Sequence, residues 1–207
     1  MKNLPNLFKL IELTRSQVQY GYLLSGIKRE QLSNLAEHHY LVTFIGWQLA
    51  INLKQAGVNI DVQKVLEFCL IHDLGELMGG DISAWYAQMN KRARKHAKAF
   101  EEENQKYLSK FFGNDSKRFK KMAKEILDAK SDEALIAKVA DYIEALCFKV
   151  YVGNFDEPSR KLTNDKLLGF IRKMKDKTAK QLLQQFVAEY LKSVHKNNYI
   201  EILAKNG

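Results

Sequence analysis

This chain has 207 residues, of which 46% are apolar and 28% are charged, a composition that excludes a disordered protein and supports one folded domain. No stretch approaches the roughly 18 uncharged apolar residues of a membrane span, the N-terminus lacks the apolar core of a signal peptide, and two cysteines make no disulfide framework. These features predict a cytoplasmic protein that does not insert into membranes. The formal net charge of +9 attracts anions in general and selects none of them.

Apolar residues recur at helical spacing along the chain, and only Pro5 and Pro158 interrupt it, so the sequence predicts an all-α fold. In chain order, we expect helices over 7–14, 33–57, 62–72, 91–112, 119–127, 131–152, 162–174 and 178–194. Loops are expected just after the glycine-rich stretch 75–80, at 113–116 and at 153–159. The expected architecture is one bundle of six to nine helices over 1–207, with a core over about 7–152 and C-terminal helices over about 162–203 packed on it.

Two histidines adjoin at the start of the second predicted helix. His38 precedes Leu41, Val42 and Ile45 by three, four and seven residues, which puts it in line with the apolar stripe of that helix. His39 is rotated by about 100° and faces a weaker stripe, so His38 is the better candidate for a metal ligand. A buried polar group costs several kcal/mol unless a partner or a metal compensates it.

Carboxylates occupy apolar surroundings in two other predicted helices. His72 and Asp73 end the most apolar helix of the chain, and Asp141 lies among small residues in the middle of the helix over 131–152. Taken singly, His38 can be a hydrogen-bonded core histidine, His-Asp is a common dipeptide, and Asp141 can cap a helix or pair with Lys138. Taken together, imidazoles and carboxylates from three helices predict a site for one divalent ion, Mn, Co, Zn, Fe or Mg, which activates water near neutral pH.

The order Glu37-His38, His72-Asp73 and Ala140-Asp141 resembles the signature of the HD-domain superfamily of metal-dependent phosphohydrolases. Four segments more narrowly resemble its 5′-deoxynucleotidase branch, which includes the bacterial YfbR-type enzymes and the eukaryotic HD-domain-containing protein 2 group. These are Leu-Ala-Glu-His at 35–38, Leu-Ile-His-Asp-Leu-Gly-Glu at 70–76, Gly-Asp-Ile at 80–82 and Ala-Lys-Val-Ala-Asp at 137–141. The resemblance implies a single metal held by His38, His72, Asp73 and Asp141, hydrolysis of deoxyribonucleoside 5′-monophosphates, and a homodimer.

The same resemblance implies roles for three further residues. Glu76 lies one helical turn beyond His72 and is expected to act as the general base. Asp81 is expected to protonate the leaving 5′-oxygen or to hold a second water. Arg15 corresponds to an arginine that contacts phosphate in this branch. The family often follows that arginine with a tryptophan, where this chain has Ser16.

Other functions of an HD fold stay open alternatives. A guanosine tetraphosphate hydrolase is expected to carry two acids as HDxxED, whereas Leu77 follows Glu76, and triphosphohydrolases usually carry a histidine in place of Glu76. Two-metal phosphodiesterases need further histidines, for which His96 and His195 are the candidates. An inactive HD fold could bind nucleic acid or a partner through the basic stretch 91–98. The acids at 101–103 favour a solvated surface helix instead, so the expected partner is a nucleotide or another small phosphoester.

Overall fold

Helices make up nearly all regular structure in the computed structural model, which describes residues 3–194 and 198–206. The described residues contain no β-strand, so the all-α prediction is confirmed, and an isolated antiparallel bridge joins Val18 and Asn34. The α-helices are α1 Leu4–Ile11, α2 Leu35–Gln55, α3 Val62–Ile71, α4 Ala84–Met89, α5 Lys91–Leu108, α6 Ser116–Asp128, α7 Asp132–Tyr151, α8 Glu157–Lys173, α9 Lys177–Ser193 and α10 Tyr199–Asn206. Shorter 3₁₀ helices are Glu12–Arg15, Tyr20–Ser25, Arg29–Gln31, Leu74–Met78 and Ser109–Asp115.

The predicted single domain over 1–207 stays a prediction, and its residues 1–2, 195–197 and 207 lie outside the described part. His195, one of the candidate ligands for a second metal, is among them. No helix in the described part of the chain is long and apolar enough to cross a membrane.

Side-chain caps set the starts of the three helices that carry the predicted ligands. The side-chain oxygen of Asn34 accepts the backbone N–H of Glu37 at 3.0 Å, and the carboxylate of Asp61 accepts the backbone N–H of Lys64 at 3.1 Å. The Ser131 hydroxyl accepts the corresponding N–H at the start of α7, at 3.3 Å. Each cap stabilises its helix by about 1 kcal/mol. All three helices begin within two residues of their predicted starts, and the predicted ligands lie on α2, at the end of α3 and on α7.

Two expected loops contain helix, and the bundle has more helices than predicted. The predicted loop over 153–159 is wrong in its second half, because α8 begins at Glu157 with Asp156 as its N-cap and Pro158 in its first turn. Proline is favoured at that position, so it starts this helix rather than breaking one. The six residues of α4 lie in the loop expected after Gly80, since so short a helix has no readable periodicity. The described residues form ten α-helices rather than six to nine.

The centre of the bundle is formed by α2, α3 and α7, which pack directly on one another. Their contact is close because small residues lie at it. A Cβ at Gly46 of α2 would lie 2.5 Å from the Cys69 Sγ of α3 and 3.6 Å from the Ala140 Cβ of α7. Ala134, Ala137 and Ala140 are fully buried in this contact. The ligand-bearing helices therefore meet in the dry interior, while α8 and α9 pack around them through buried leucine, isoleucine and valine side chains.

Candidate metal centre and active site

The structure brings the four predicted ligands, His38, His72, Asp73 and Asp141, into one group, with one ligand atom of each within 4.8 Å of the others. The two histidine Nε2 atoms are 3.2 Å apart. The Asp73 Oδ2 lies 3.5 Å and 3.2 Å from them, and the Asp141 Oδ1 lies 3.4 Å and 3.8 Å from them. This is the only such group among the described residues.

Hydrogen bonds on the far side of each imidazole set its tautomer. The His38 Nδ1–H donates to the Glu144 carboxylate at 2.5 Å, and the His72 Nδ1–H donates to the Cys69 carbonyl at 2.8 Å. In its neutral form, each ring then presents an Nε2 lone pair to the group. Two such lone pairs at 3.2 Å repel unless a proton or a metal ion lies between them. The arrangement therefore fits a divalent metal with two nitrogen and two oxygen ligands.

The surrounding charges also favour a cation at this point. Burial alone would lower the pKa of His38, but hydrogen bonds to Asp141, Asp73 and Glu144 raise it well above its usual value. Burial opposes ionisation of Asp73 and Asp141, yet the charges of His72 and Lys138 hold the pKa of Asp73 far below its usual range, and Lys138 lowers the pKa of Asp141. Both carboxylates are thus negative and available as ligands.

Glu144 is a functional candidate that the sequence analysis missed. It is 1% exposed, and its carboxylate contacts the His38 Nδ1 directly. It lies three residues after Asp141, on the same face of α7, so one helix supplies both a candidate ligand and the group that orients another. Carboxylates in this position fix ring orientation and strengthen histidine as a ligand.

Replacing Glu144 with glutamine is expected to weaken metal binding about 10- to 100-fold, because a neutral amide oxygen accepts the His38 Nδ1–H less strongly than a carboxylate and leaves the ring a weaker ligand. Equilibrium dialysis with Mn²⁺ measures this effect. Helix content by circular dichroism serves as the control for folding. Unchanged affinity in a folded Glu144→Gln protein would show that Glu144 only fills space.

A cavity of about 480 Å³ opens from the metal group and is lined by Asp73, Asp141, Glu76 and Asp81. This volume is within the range of small-molecule sites. Glu76 lies on the 3₁₀ helix Leu74–Met78. Burial, reinforced by the charges of Asp73 and Asp81, raises the pKa of Glu76 well above its usual value. A raised pKa makes the ionised carboxylate a stronger proton acceptor, and a cation held by the neighbouring ligands would keep Glu76 ionised, which suits it to act as a base.

Asp81 holds a neighbouring segment in place as well as lining the cavity. Its two carboxylate oxygens accept the Gly21 N–H at 3.0 Å and 2.8 Å. The contact is tight, since a Cβ at Gly21 would lie 2.3 Å from one of these oxygens. Burial raises the pKa of Asp81, and the N–H bonds oppose that rise. Its predicted role in proton transfer stays a prediction beside this positional one.

The structure does not bring Arg15 into the cavity wall. Its guanidinium donates to the Glu12 carboxylate at 2.7 Å, one turn earlier on the same 3₁₀ helix, and its side chain is 74% exposed. The i, i+3 spacing of the two residues explains the pair. The predicted phosphate contact of Arg15 therefore has no support in this geometry.

The helix α5, expected to be a solvated surface helix, has one face in the cavity. Arg94, Lys98 and Glu101, spaced four and three residues apart, line the cavity, and burial raises the pKa of Glu101 to about 7.

Two further histidines lie outside the metal group. His96 is exposed on α5. His39 is buried against His72 with a ring distance of 5.0 Å, and its Nε2 has no hydrogen-bond partner among the described residues. It is not part of the ligand group either.

A sequence model of the HD domain family matches residues 12–183, which is most of the chain and includes all four ligands of the metal group. The chain belongs to the HD domain family. The predicted membership of the HD superfamily is thereby confirmed. In this HD domain, the two histidines and two aspartates of the metal group come from α2, from the end of α3 and from α7.

One sequence relative and two solved structures are similar to this chain. The 5′-deoxynucleotidase HDDC2 of Dictyostelium discoideum is 25% identical over 150 residues, which are 70% of this chain and 75% of that protein. A conserved hypothetical protein from Pyrococcus furiosus has a TM-score of 0.69 at 22% identity, with 90% of this chain and 98% of that chain covered. A protein from Magnetospirillum magnetotacticum, described as a predicted metal-dependent phosphohydrolase, has a TM-score of 0.65 at 19% identity, with 95% and 98% covered. The two solved structures share the fold.

Proposed function

We propose that this HD domain protein is a metal-dependent phosphohydrolase that converts deoxyribonucleoside 5′-monophosphates to deoxynucleoside and phosphate. The observation that carries the proposal is the group of two Nε2 atoms and two carboxylates at the base of a cavity that also contains Glu76. The finer choice of substrate is supported by the likeness to the Dictyostelium 5′-deoxynucleotidase.

The ligands His38, His72, Asp73 and Asp141 would hold one divalent ion. When bound, such an ion acts as a Lewis acid that acidifies water and offsets negative charge on the phosphate. Glu144 and the Cys69 carbonyl keep the two Nε2 atoms directed at the group. The mixed nitrogen and oxygen donors of this group suit Mn, Co, Zn, Fe and Mg.

Hydrolysis forms a bond from a water oxygen to phosphorus and breaks the bond from phosphorus to the 5′-oxygen, which then takes a proton. In the proposal, Glu76 accepts the proton of the attacking water, since its carboxylate shares the cavity with the ligands and has a raised pKa. Asp81 supplies the leaving-group proton or holds a second water. Arg15 would reach the phosphate only after leaving Glu12.

The substrate is tested with metal-stripped protein restored with Mn²⁺ or Co²⁺ and offered a panel of deoxy- and ribonucleoside 5′-monophosphates. We expect phosphate release from the deoxynucleotides, with slower release from the ribonucleotides. Inorganic phosphate and the nucleoside are measured together, because a phosphomonoesterase produces them in equal amounts. Release of triphosphate and nucleoside from a nucleoside triphosphate, with no reaction of any monophosphate, would instead favour a triphosphohydrolase.

We further propose that the protein is a cytoplasmic homodimer, as the family resemblance implies. The apolar residues of the stretch 182–191 are not free for a dimer contact, because Leu183, Val187 and Leu191 are buried in the core. A free apolar stripe lies instead on the outer face of α2, where Tyr40, Phe44 and Trp47 are 69%, 52% and 39% exposed at helical spacing. Sedimentation velocity is expected to give the mass of two chains, and of one chain for Phe44→Glu. A monomeric unaltered protein would contradict this.

A further inference from the structure

Five cationic side chains line the same cavity as the metal group, and two of them are neutralised by acids. Lys98 pairs with Asp128 at 2.9 Å, and Lys138 lies 3.8 Å from Asp73 and 3.6 Å from Asp141. The other three cations have no carboxylate within 4.0 Å among the described residues. They are Arg94, Lys149 and Lys166. The cavity thus has negative charge at the metal end and uncompensated positive charge elsewhere.

Lys149 is the most enclosed of these three cations, with 8% of its surface exposed. Its Nζ donates to the Ser25 hydroxyl at 2.8 Å and to the Ser159 hydroxyl at 2.7 Å. An ammonium has three N–H donors, so one is left over for a further acceptor. Burial lowers the pKa of Lys149, and the charge of Asp156 offsets this in part. Asp156 itself is engaged by the Ser159 N–H at 2.6 Å.

Helix α7 places Lys149 at a defined distance from the reacting end. Asp141, Ala145 and Lys149 follow at intervals of four residues and all line the cavity. Eight residues of α-helix rise by about 12 Å, so one straight helix face joins the metal group to Lys149. Ser159, on the neighbouring helix α8, lines the cavity at the Lys149 end.

Arg94 and Lys166 add positive charge along the same wall. Arg94 and Lys166 both line the cavity, and burial lowers the pKa of Lys166, with the positive charges of Arg94 and Lys173 lowering it further. Tyr142, next to Asp141 on α7, also lines the cavity, and burial, reinforced by the charge of Asp141, raises its pKa to about 12. Like charges held together in a partly enclosed space favour an anion between them.

We infer that Lys149, held by Ser25 and Ser159, binds a second anionic group of the substrate, so that the preferred substrates are nucleotides with a phosphate beyond the one that is hydrolysed. The inference rests on the proposed function for the reacting end. In such a substrate the bond from phosphorus to the 5′-oxygen is broken by water, and the second phosphate stays bonded to the nucleoside. A nucleoside 3′,5′-bisphosphate is the simplest compound of this class.

A purely structural role for Lys149 is the competing explanation, since its two hydroxyl contacts join the 3₁₀ helix Tyr20–Ser25 to α7 and α8. Hydroxyl groups do not neutralise a buried charge, however, and an unneutralised ammonium is costly in an enclosed place. A methionine of similar length would make the same apolar contacts at lower cost. The test therefore compares ligands as well as variants.

Binding is measured first, by calorimetry on metal-stripped full-length protein, so that neither ligand is hydrolysed. The probes are deoxyadenosine 3′,5′-bisphosphate and deoxyadenosine 5′-monophosphate. We expect the bisphosphate to bind at least about tenfold more tightly, because a charge-assisted hydrogen bond to a buried lysine is strong. In Lys149→Met the ratio of the two dissociation constants is expected to fall to about one. Lys149→Arg keeps the charge and is expected to retain part of the preference, and Lys161→Met, on the exposed face of α8, is the matched control.

Equal binding of the two probes by the unaltered protein would overturn the inference, whether or not Lys149→Met folds. An undiminished preference in a folded Lys149→Met protein would overturn it as well. Phosphate release from both probes is then measured with Mn²⁺ restored. If neither is hydrolysed while the binding preference follows Lys149, the proposed reaction has failed and the second anion site stands.

Discussion

Replacing Asp141 with asparagine is expected to lower metal affinity and metal-dependent phosphate release by more than about a hundredfold. Losing a residue that only supports a ligand costs about 10- to 100-fold in affinity, so losing a charged ligand should cost more. Asparagine preserves shape but removes a negative charge from a group that includes Lys138 at 3.6 Å. The positive charge of Lys138 would then be opposed by Asp73 alone in this group. Equilibrium dialysis and released phosphate measure the two effects on the same preparation.

The matched control is Asp165→Asn, which removes the same charge from the exposed surface of α8. It should leave metal affinity and activity as they are in the unaltered protein. His72→Ala tests the same group from α3 and should lose metal binding to a similar extent. Full metal affinity in a folded Asp141→Asn protein would place the metal elsewhere.

Replacing Glu76 with glutamine is expected to lower kcat by about 100- to 10,000-fold, the usual contribution of a general base. Glutamine has nearly the same size but no capacity to accept the proton of water. Because Glu76 is not in the ligand group, metal affinity should change little. Single-turnover phosphate release at saturating substrate measures the chemical step, and dialysis with Mn²⁺ measures the metal.

Glu101 offers a comparison within the same cavity, because its carboxylate is also shielded and its pKa is raised to about 7 by burial. If Glu76 is the base, Glu101→Gln should reduce kcat far less than Glu76→Gln. Equal losses in the two variants would indicate that general negative charge in the cavity matters, and that Glu76 has no special role. A larger loss in Glu101→Gln would make Glu101 the base.

The parts that could be predicted from the sequence are those that local pattern controls. Caps such as Asn34 and Asp61 mark helix starts by chemistry that acts over three residues, and polar residues in apolar helices, such as His38 and Asp141, mark the interior. Glu144 carried the same signal, a carboxylate three residues after Asp141 in an apolar helix. The pattern of polar residues in apolar helices therefore indicates Glu144, whereas the family signature does not, because that signature ends at Asp141.

The cavity residues Glu101 of α5 and Lys149 of α7 could not be predicted in this way. Glu101 belongs to a highly charged helix, and only tertiary packing decides which of its charges face inward. Lys149 is one lysine among many until Ser25, which is 124 residues away, and Ser159, which lies on the next helix, are seen to bind its ammonium. Arg15 shows the converse, because a motif position alone does not direct a side chain that has a closer partner in Glu12.

The most direct test of metal-dependent hydrolysis is phosphate release from deoxyribonucleoside 5′-monophosphates by chelator-treated protein, as one equivalent of Mn²⁺ or Co²⁺ is added back. We expect no phosphate release without metal, a rise that saturates near one ion per chain, and no rise in Asp141→Asn at the same metal concentration. Release that is unaffected by the chelator, or that persists in Asp141→Asn, would contradict it.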